Sequence, residues 1–578
     1  MMISAPNPLL QLRLPLWRSR MLLALVFIGF GALVARAVYL QVFNNDFLQQ
    51  KGESRYSRVI EISAHRGKIT DRNGEILASS TPVRSIWAIP DDVDAARDKL
   101  RELARMLEMP LAELDKKLAD AADRDFVYLK RQLPPEQAER VAQLGLAGIF
   151  QQREYRRYYP AGEVTAHVLG FTAVDETGQE GIELAFQAEL AGHAGSRRVI
   201  KDRRGNVIED VASIRGPRDG RDLVLSIDSK IQYLAFRELK NAVEAHRARA
   251  GGIVVLDVHT GEVLALVNLP VFNPNNRANL TGAQLRNRVL TDTFEPGSTM
   301  KPFTAALALE LGMVTPGSVI QTAPGRLTIG KSTISDAHPH GALTVAEVIQ
   351  KSSNVGTARL ALAIERQDMW DMFNRVGFGV VPRVQFPGAV SGKLRPAKSW
   401  RPIEQATMSY GYGLSTSLLQ LARAYTVFGR DGDIVDATFI KAAGPAFGSQ
   451  VVHPEVARAV RHMLELAAGP GGTAPRAQTM GYRVAGKTGT AHKQEGAGYA
   501  ERKYRASFVG LAPASAPRLV VAVMLDEPSN GKYFGGEVAA PVFSTVIGGA
   551  LRILGVPPDA PMRPIVLPGE GTEVKEST

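Results

Sequence analysis

Phe294-Glu295-Pro296-Gly297-Ser298-Thr299-Met300-Lys301-Pro302-Phe303 carries a serine and a lysine three positions apart. On a helix of 3.6 residues per turn that spacing puts both side chains on one face. Pro296-Gly297 is a turn signal, so a helix starts close to Ser298, where orphan N–H groups and the dipole favour negative charge. An alkoxide forming on Ser298 is stabilised there, and a neutral Lys301 one turn on can take its proton. Taken singly the pattern is weak, because both residues are common and a helix cap explains it equally well. Two further patterns follow it: Ser352-Ser353-Asn354, then Lys487-Thr488-Gly489-Thr490. Three ordered signatures make coincidence a poor account.

The chemistry needs these residue types. A serine hydroxyl is a poor nucleophile until a base removes its proton, and Lys301 serves as that base only if burial or a second cation favours its neutral form. Lys487 is the natural second cation. Ser352 can bridge the two lysines and pass a proton to a leaving amine. Asn354, with a donor and an acceptor, suits gripping a peptide backbone. Thr488 and Thr490 share one side of a strand and can hold a substrate carboxylate with Lys487, while Gly489 leaves room for a substrate chain. Backbone N–H groups of Ser298 and Thr490 would meet the oxyanion, an effect of about 3 kcal/mol per donor.

Outward from these motifs, Gly252 to Val258 and Glu262 to Val267 read as a hydrophobic hairpin, and Arg483–Ala491, Ser507–Leu511 and Leu519–Leu525 as three later strands. Helical patterns fill the middle at Ser298–Gly312, Val345–Ile364 and Leu418–Phe428. Early strands, a helical middle and late strands suit one antiparallel sheet flanked by helices, an α+β domain. Upstream, Asn73-Gly74 predicts a hairpin between Lys68-Ile69 and Ile76-Leu77. Val93 to Leu146 reads as helical, broken at Pro110 and Pro134-Pro135, and Val199–Val207 as strand, turn and strand. Leu223–Ile227 is an alternating strand before a helix over Ser229–His246. The upstream part is mixed α+β and shows no nucleophile–base pair.

At the N-terminus, Arg13, Arg18 and Arg20 precede the apolar run Met21–Ala35, with no acidic residue before it. Positive charge on that flank places the N-terminus in the cytoplasm and the rest outside. Apolar character resumes at Val38-Tyr39-Leu40 and continues to Phe43, giving a span of roughly 20 residues, enough for a bilayer. Ala35-Arg36-Ala37 has the form of a cleavage site, the competing reading as a removed signal peptide. The chain of 578 residues has net charge +11 and no cysteine, which excludes disulfides and a cysteine nucleophile. No nucleic-acid motif accompanies the basic charge, so solvated surface is the default. The ten histidines form no H-E-x-x-H. His338-Pro339-His340 reads as a loop, and no metal or cofactor is expected.

Together with Arg66–Gly74, Arg157–Gly162, Gly181–Glu183, Lys351–Gly356, Tyr410-Gly411-Tyr412-Gly413-Leu414-Ser415 and Tyr533-Phe534-Gly535-Gly536, the three motifs resemble those of class B penicillin-binding proteins, most closely the FtsI family. The likeness runs from the anchor to about Val556. It implies a cytoplasmic tail (1–20), a transmembrane anchor (21–43), a non-catalytic pedestal (44–222), a transpeptidase domain (223–556) and a disordered tail (557–578). It further implies an inner-membrane enzyme with its catalytic domain in the periplasm, at the septum. The expected activity is D,D-transpeptidation of peptidoglycan stem peptides: D-Ala-D-Ala donors, an amine acceptor and β-lactams as covalent inhibitors. Ser298, Lys301, Ser352 and Lys487 would be catalytic, and Asn354, Thr488, Gly489 and Thr490 would bind substrate. FtsW and other division proteins are the implied partners. Phe386-Pro387-Gly388-Ala389 departs from the family's pattern, which has an acidic residue after Phe-Pro-Gly. Competing readings are an elongation-specific transpeptidase, a D,D-carboxypeptidase or β-lactamase, and a β-lactam sensor. A class A β-lactamase would need a deacylating glutamate, and none is recognisable. A sensor would need several spans or a cytoplasmic output domain.

Overall fold

The computed structural model describes residues 15–39, 57–62, 64–124, 126–201, 207–496 and 498–562. The N-terminal helix runs Leu16–Val38. Its 23 residues rise about 35 Å at 1.5 Å each, enough for a bilayer. It starts five residues before the expected anchor and takes in Arg18 and Arg20, while residues 40–43 of that anchor lie outside the described residues.

The chain divides into two compact units. The smaller comprises residues 1–64, 83–154 and 193–218. Helices Arg97–Met106, Leu111–Ala119 and Pro135–Gln143 close around a core of Leu103, Leu107, Leu114, Leu129 and Val141. Within the stretch expected to be helical, Val127–Leu133 is instead a strand, with Val127 opposite Ala88 and Tyr128 opposite Trp87. Pairing with the neighbouring strand overrides weak helical propensity here. A separate antiparallel sheet joins Ser57–Ile62, Gly195–Lys201 and Val207–Arg215 in that order.

The larger unit holds residues 65–82, 155–192 and 219–578. Segments 65–82 and 155–192 pack in this unit through shared apolar side chains: Ile69, Leu77, Ile182 and Leu190 are buried in one cluster with Val254 and Leu421. Helix α1 (Ser229–Ala245) is capped by Asp228, whose carboxylate accepts from the Lys230 and Ile231 N–H groups. Next come β1 (Ala250–Asp257), β2 (Val263–Leu269), α2 (Lys301–Glu310) and the hairpin β3 (Arg326–Ile329) and β4 (Ser332–Ser335). Helices α3 (Val345–Gln350), α4 (Asn354–Ala363), α5 (Leu418–Gly429) and α6 (Pro454–Ala468) follow, then β5 (Ala485–Glu495), β6 (Gly498–Ala512), β7 (Leu519–Asp526) and α7 (Ala540–Ile553).

The central sheet is antiparallel, in the order β2-β1-β7-β6-β5. It is covered on both faces, so β1, β2 and β7 are buried at every position. Ile253, Val255, Val521 and Val523 pack with the apolar faces of α1 and α7, whereas Val254, Leu256, Val520 and Ala522 pack with α2, α5 and α6. Successive apolar residues of these strands therefore alternate between two cores, which explains the continuous apolar runs in the sequence. The expected helix Val345–Ile364 is two helices, broken at 351–353. Pro557–Met562 is ordered: Asp559 accepts from the Arg483 N–H and from Ser515. Residues 563–578 of the expected tail lie outside the described residues.

Candidate active site

Ser298 lies in a tight 3-10 turn, Gly297–Met300, that runs directly into α2. Pro302 in the first turn of α2 fits that entry, since its missing N–H would be an orphan there. The segment is almost wholly buried: Ser298 is 7% exposed and Lys301 0%. Its backbone is gripped from behind. Tyr425 Oη donates to the Thr299 carbonyl at 2.8 Å, and Thr299 Oγ1 donates to the Pro296 carbonyl at 2.8 Å. The turn 410–415 packs on the same stretch, with the Gly297 N–H reaching the Gly411 carbonyl. Gly411 is required there, because a Cβ would sit 2.2 Å from the Gly297 oxygen and its φ is +91°. Segment 410–415 is thus a turn packed against the nucleophile's own stretch.

The second motif occupies the break between α3 and α4. Lys301 Nζ donates to the Ser352 carbonyl at 2.5 Å and to its Oγ at 3.0 Å. Ser352 has φ +59°, a left-handed conformation that costs a non-glycine residue roughly 1–2 kcal/mol. That conformation turns the carbonyl and the hydroxyl of one residue toward one ammonium. Ser353 caps α4, its Oγ accepting from the Gly356 N–H. Asn354 is buried; its Nδ2 donates to the Ser335 carbonyl at 3.1 Å, and its Oδ1 has no partner within the protein. An orphan acceptor buried beside a nucleophile is available to a ligand N–H.

The third motif lies on β5, where Lys487 pairs with Val509 and Thr490 with Ala506 of β6. Lys487 is fully buried and its Nζ reaches Thr488 Oγ1 at 3.2 Å and Thr473 Oγ1 at 3.4 Å. Thr488 Oγ1 lies 3.0 Å from Thr473 Oγ1, and Thr490 Oγ1 accepts from the Gly535 N–H at 3.0 Å. Both threonine hydroxyls thus have protein partners, which the two-residue spacing did not reveal. Gly489 packs closely against the first motif. A Cβ there would meet Ser507 Oγ at 2.6 Å and the Pro296 carbonyl at 2.8 Å, so the missing side chain admits the nucleophile's own segment. This close packing seats the third motif against the first.

Residues 251–548 match the family model described as "Penicillin binding protein transpeptidase domain", and residues 61–225 match "Penicillin-binding Protein dimerisation domain". The chain is 43% identical over 549 residues to the peptidoglycan D,D-transpeptidase FtsI of Escherichia coli K12, covering 94% of this chain and 93% of that one. The chain belongs to the FtsI family of peptidoglycan D,D-transpeptidases. The probable peptidoglycan D,D-transpeptidase PenA of Neisseria gonorrhoeae is also 43% identical, over 537 residues and 92% of each chain. Among solved structures, the apo transpeptidase domain of Burkholderia pseudomallei penicillin-binding protein 3 superposes with a TM-score of 0.54 at 53% identity, covering 58% of this chain and 98% of that one.

In this FtsI-family chain a cleft of about 710 Å³ adjoins the second motif, lined by Asn354, Arg395, Tyr410, Tyr412, His492 and Tyr499. Burial pushes the Tyr412 phenol up to about 12 and raises those of Tyr410 and Tyr499, so all three remain hydrogen-bond donors near neutrality. Glu295, three residues before Ser298, accepts from the Gly413 N–H at 2.7 Å and from Tyr499 Oη at 3.2 Å, and burial raises its carboxyl. Tyr533 stacks on Tyr504 with centroids 4.3 Å apart, which brings 533–536 alongside β5. Thr473, Glu295 and Asp336, whose carboxylate accepts from Ser353 Oγ at 2.7 Å and from the Val355 N–H at 2.9 Å, went unrecognised in the sequence. Gly471-Gly472-Thr473 offered only a turn signal, and neither acid has a distinguishing spacing to the motif it touches.

Proposed function

We propose that Ser298 is the nucleophile through which this chain carries out its family's D,D-transpeptidation, with Lys301 as its base. The observation that carries the assignment is the fully buried Lys301 amino group, one turn from Ser298 in sequence, held on the carbonyl and hydroxyl of Ser352. Burial disfavours the charged form of a lysine, which suits a group that must accept a proton. Ser298 Oγ attacks the D-Ala-D-Ala carbonyl while Lys301 takes its proton. Backbone N–H groups of Ser298 and Thr490 receive the oxyanion. Ser352 relays the proton to the departing D-alanine nitrogen, and the C–N bond breaks to leave an acyl-Ser298 ester. An acceptor amine then attacks that ester, giving its proton back through the same groups, and Ser298 regains its own. Asn354 holds the donor backbone, supported by its unpartnered Oδ1. Lys487, Thr488, Gly489 and Thr490 form the wall for the donor carboxylate, where Lys487 supplies positive charge.

The same reading makes residues 44–222 a non-catalytic pedestal and 223–556 the catalytic domain, with 21–43 an uncleaved anchor and the bulk of the chain in the periplasm at the division septum. The arginines on the N-terminal side of the apolar run from Met21 support this orientation. FtsW and other division proteins are the expected partners by family resemblance. The deciding experiment supplies a D-Ala-D-Ala thioester donor with and without a D-amino acid acceptor, and follows fluorescent penicillin on Ser298 by intact mass. Transfer to the amine and a long-lived adduct on Ser298 are expected. Free acid dominating at saturating acceptor, or full labelling of Ser298→Ala, would overturn the assignment.

A further inference from the structure

A donor stem is longer than the groups that the three motifs can hold. With its terminal carboxylate on Lys487, Thr488 and Thr490 and its backbone on Asn354, the residues before the scissile bond leave along β5 past Thr490, on the Asn354 side. The cleft of about 710 Å³ lies there. Asn354 lines one part of it, and His492, two residues beyond Thr490 on the same side of β5, lines another. Cross-linking uses an amine on one stem, and every stem serves as donor and as acceptor, so a donor carries that amine itself, on the side chain of the residue before D-Ala-D-Ala. Two chemistries meet that need: an ammonium alone, or an amine flanked by a carboxylate.

The lining of the cleft separates the two. Arg395 is part of it, with a side chain one-third exposed. Its backbone is pinned by the buried Trp400, whose Nε1 donates to the Arg395 carbonyl at 2.9 Å. Its guanidinium reaches Glu404 Oε1 at 3.0 Å through Nη2 alone. Glu404 does not depend on that bond, because the Arg401 N–H meets its Oε2 at 2.8 Å in the capping box of helix Pro402–Met408. One acid thus orients the guanidinium without using its other N–H groups, and the planar fork that remains suits a carboxylate. An ammonium alone would meet repulsion from Arg395. Glu501 of β6 lines the same cleft and supplies the acid that an adjoining amine needs, so both signs of charge are present for a group that carries both.

We propose that Arg395 is a substrate-binding residue that sets donor specificity, receiving the carboxylate that flanks the side-chain amine of the residue before D-Ala-D-Ala. The proposal rests on the donor placement under the proposed function and names the substrate class for that site: stems built on a diamino diacid, not on a diamino acid with a bare ammonium. Arg395 touches no reacting atom, so it acts through recognition of the stem.

The test uses the full-length protein in detergent and two stem-peptide thioester donors. They are identical except that the residue before the D-alanyl thioester is meso-diaminopimelate in one and L-lysine in the other, a difference of one carboxylate. Transfer to a D-amino acid acceptor is followed per active site, with sites counted by fluorescent penicillin on Ser298. Wild type should favour the diaminopimelate donor about 10- to 100-fold in kcat/KM, chiefly through KM, the usual worth of a charge-assisted hydrogen-bonded pair. Arg395→Met should bring that ratio to within threefold. Arg395→Lys should keep part of it, because the charge stays while the fork is lost. A wild-type ratio within threefold, a preference for the lysine donor, or a full preference surviving in Arg395→Met overturns the proposal. Labelling at Ser298 without a donor preference sinks the subsite alone, whereas a wild type that neither labels nor transfers brings down the functional assignment first.

Discussion

Two places in the larger unit each bury a pair of basic side chains, and they are built in opposite ways. Arg66 and Arg157 close on a single carboxylate: Arg66 Nη2 lies 2.6 Å from Glu183 Oε2, and Arg157 Nε lies 2.6 Å from Glu183 Oε1, with all three side chains at most 1% exposed. Lys301 and Lys487 donate to neutral oxygens, the carbonyl and hydroxyl of Ser352 and the hydroxyls of Thr473 and Thr488. A guanidinium stays charged at any accessible pH, so its burial calls for a counter-charge; a lysine can instead lose its proton. The first site is therefore suited to joining chain segments 66, 157 and 183, and the second to proton transfer.

The contrast breaks most decisively at Lys301. Lys301→Met keeps the length and removes the base, so penicillin acylation should fall about 10² to 10⁴-fold. Its melting temperature should fall by less than that of a variant that orphans a buried charge, because the oxygens left behind on Ser352 are neutral. Acylation within tenfold of wild type would mean that the proton leaves Ser298 by another route.

Glu183→Gln should do the reverse. It takes from two buried guanidiniums the carboxylate they share and should cost about 3–5 kcal/mol of stability. Acylation per labelled active site should stay within twofold. A stability change below 1 kcal/mol by urea unfolding would contradict the structural role.

His167 sharpens the comparison, as a buried base beside another cation that is kept neutral. Burial pushes its pKa down to about 4, with Arg288 pushing the same way against the Gln284 carbonyl, which Nε2 meets at 2.7 Å. Between the ordinary value of 6.5 and about 4 the unfolded chain binds a proton that the folded one refuses. Stability therefore rises with pH across that window, and acidifying from pH 7 to 4 should cost up to about 3 kcal/mol from this group. His167→Gln should flatten that part of the curve. An identical pH slope in the variant would exclude His167 as its source.

The smallest effect belongs to Glu404 at the surface. The Arg401 N–H first, then the Arg401 and Arg395 side chains, hold its carboxyl down at about 2 against a modest opposing effect of burial. A lowered carboxyl stabilises the fold above its ordinary value of 4.5 and loses that contribution as pH falls toward 2. Because solvent screens this site, Glu404→Gln should cost only about 1 kcal/mol at pH 7, with the difference vanishing near pH 2. A larger loss would show that surface pairing here matters more than its exposure suggests.

Much of the site was legible because short-range geometry encodes it. Ser298 and Lys301 are one turn apart, and Lys487 to Thr490 lie on a strand whose apolar flanks announce it. The strands expected at Gly252–Val258, Glu262–Val267 and Leu519–Leu525 match β1, β2 and β7 within two residues at each end. Less legible was Val127–Leu133, a strand too short to stand out from neighbouring helical patterns. The break inside Val345–Ile364 was also hidden, because neither Ser352 nor Ser353 marks a helix end as Gly or Pro would.

The sequence by itself determined the family, the order of the three motifs, the central hydrophobic strands and the N-terminal apolar helix, since all of these depend on residue type and near-neighbour spacing. Only the tertiary structure decided that segments 65–82 and 155–192 belong to the larger unit, that Gly489 makes room for Pro296, and that Thr473 meets Lys487. It alone brought Asp336 to Ser353, 17 residues away across the short strand Ala342–Thr344 and helix α3. Contacts between segments that distant depend on how the sheet and its helices close around their cores, and no local spacing carries that information.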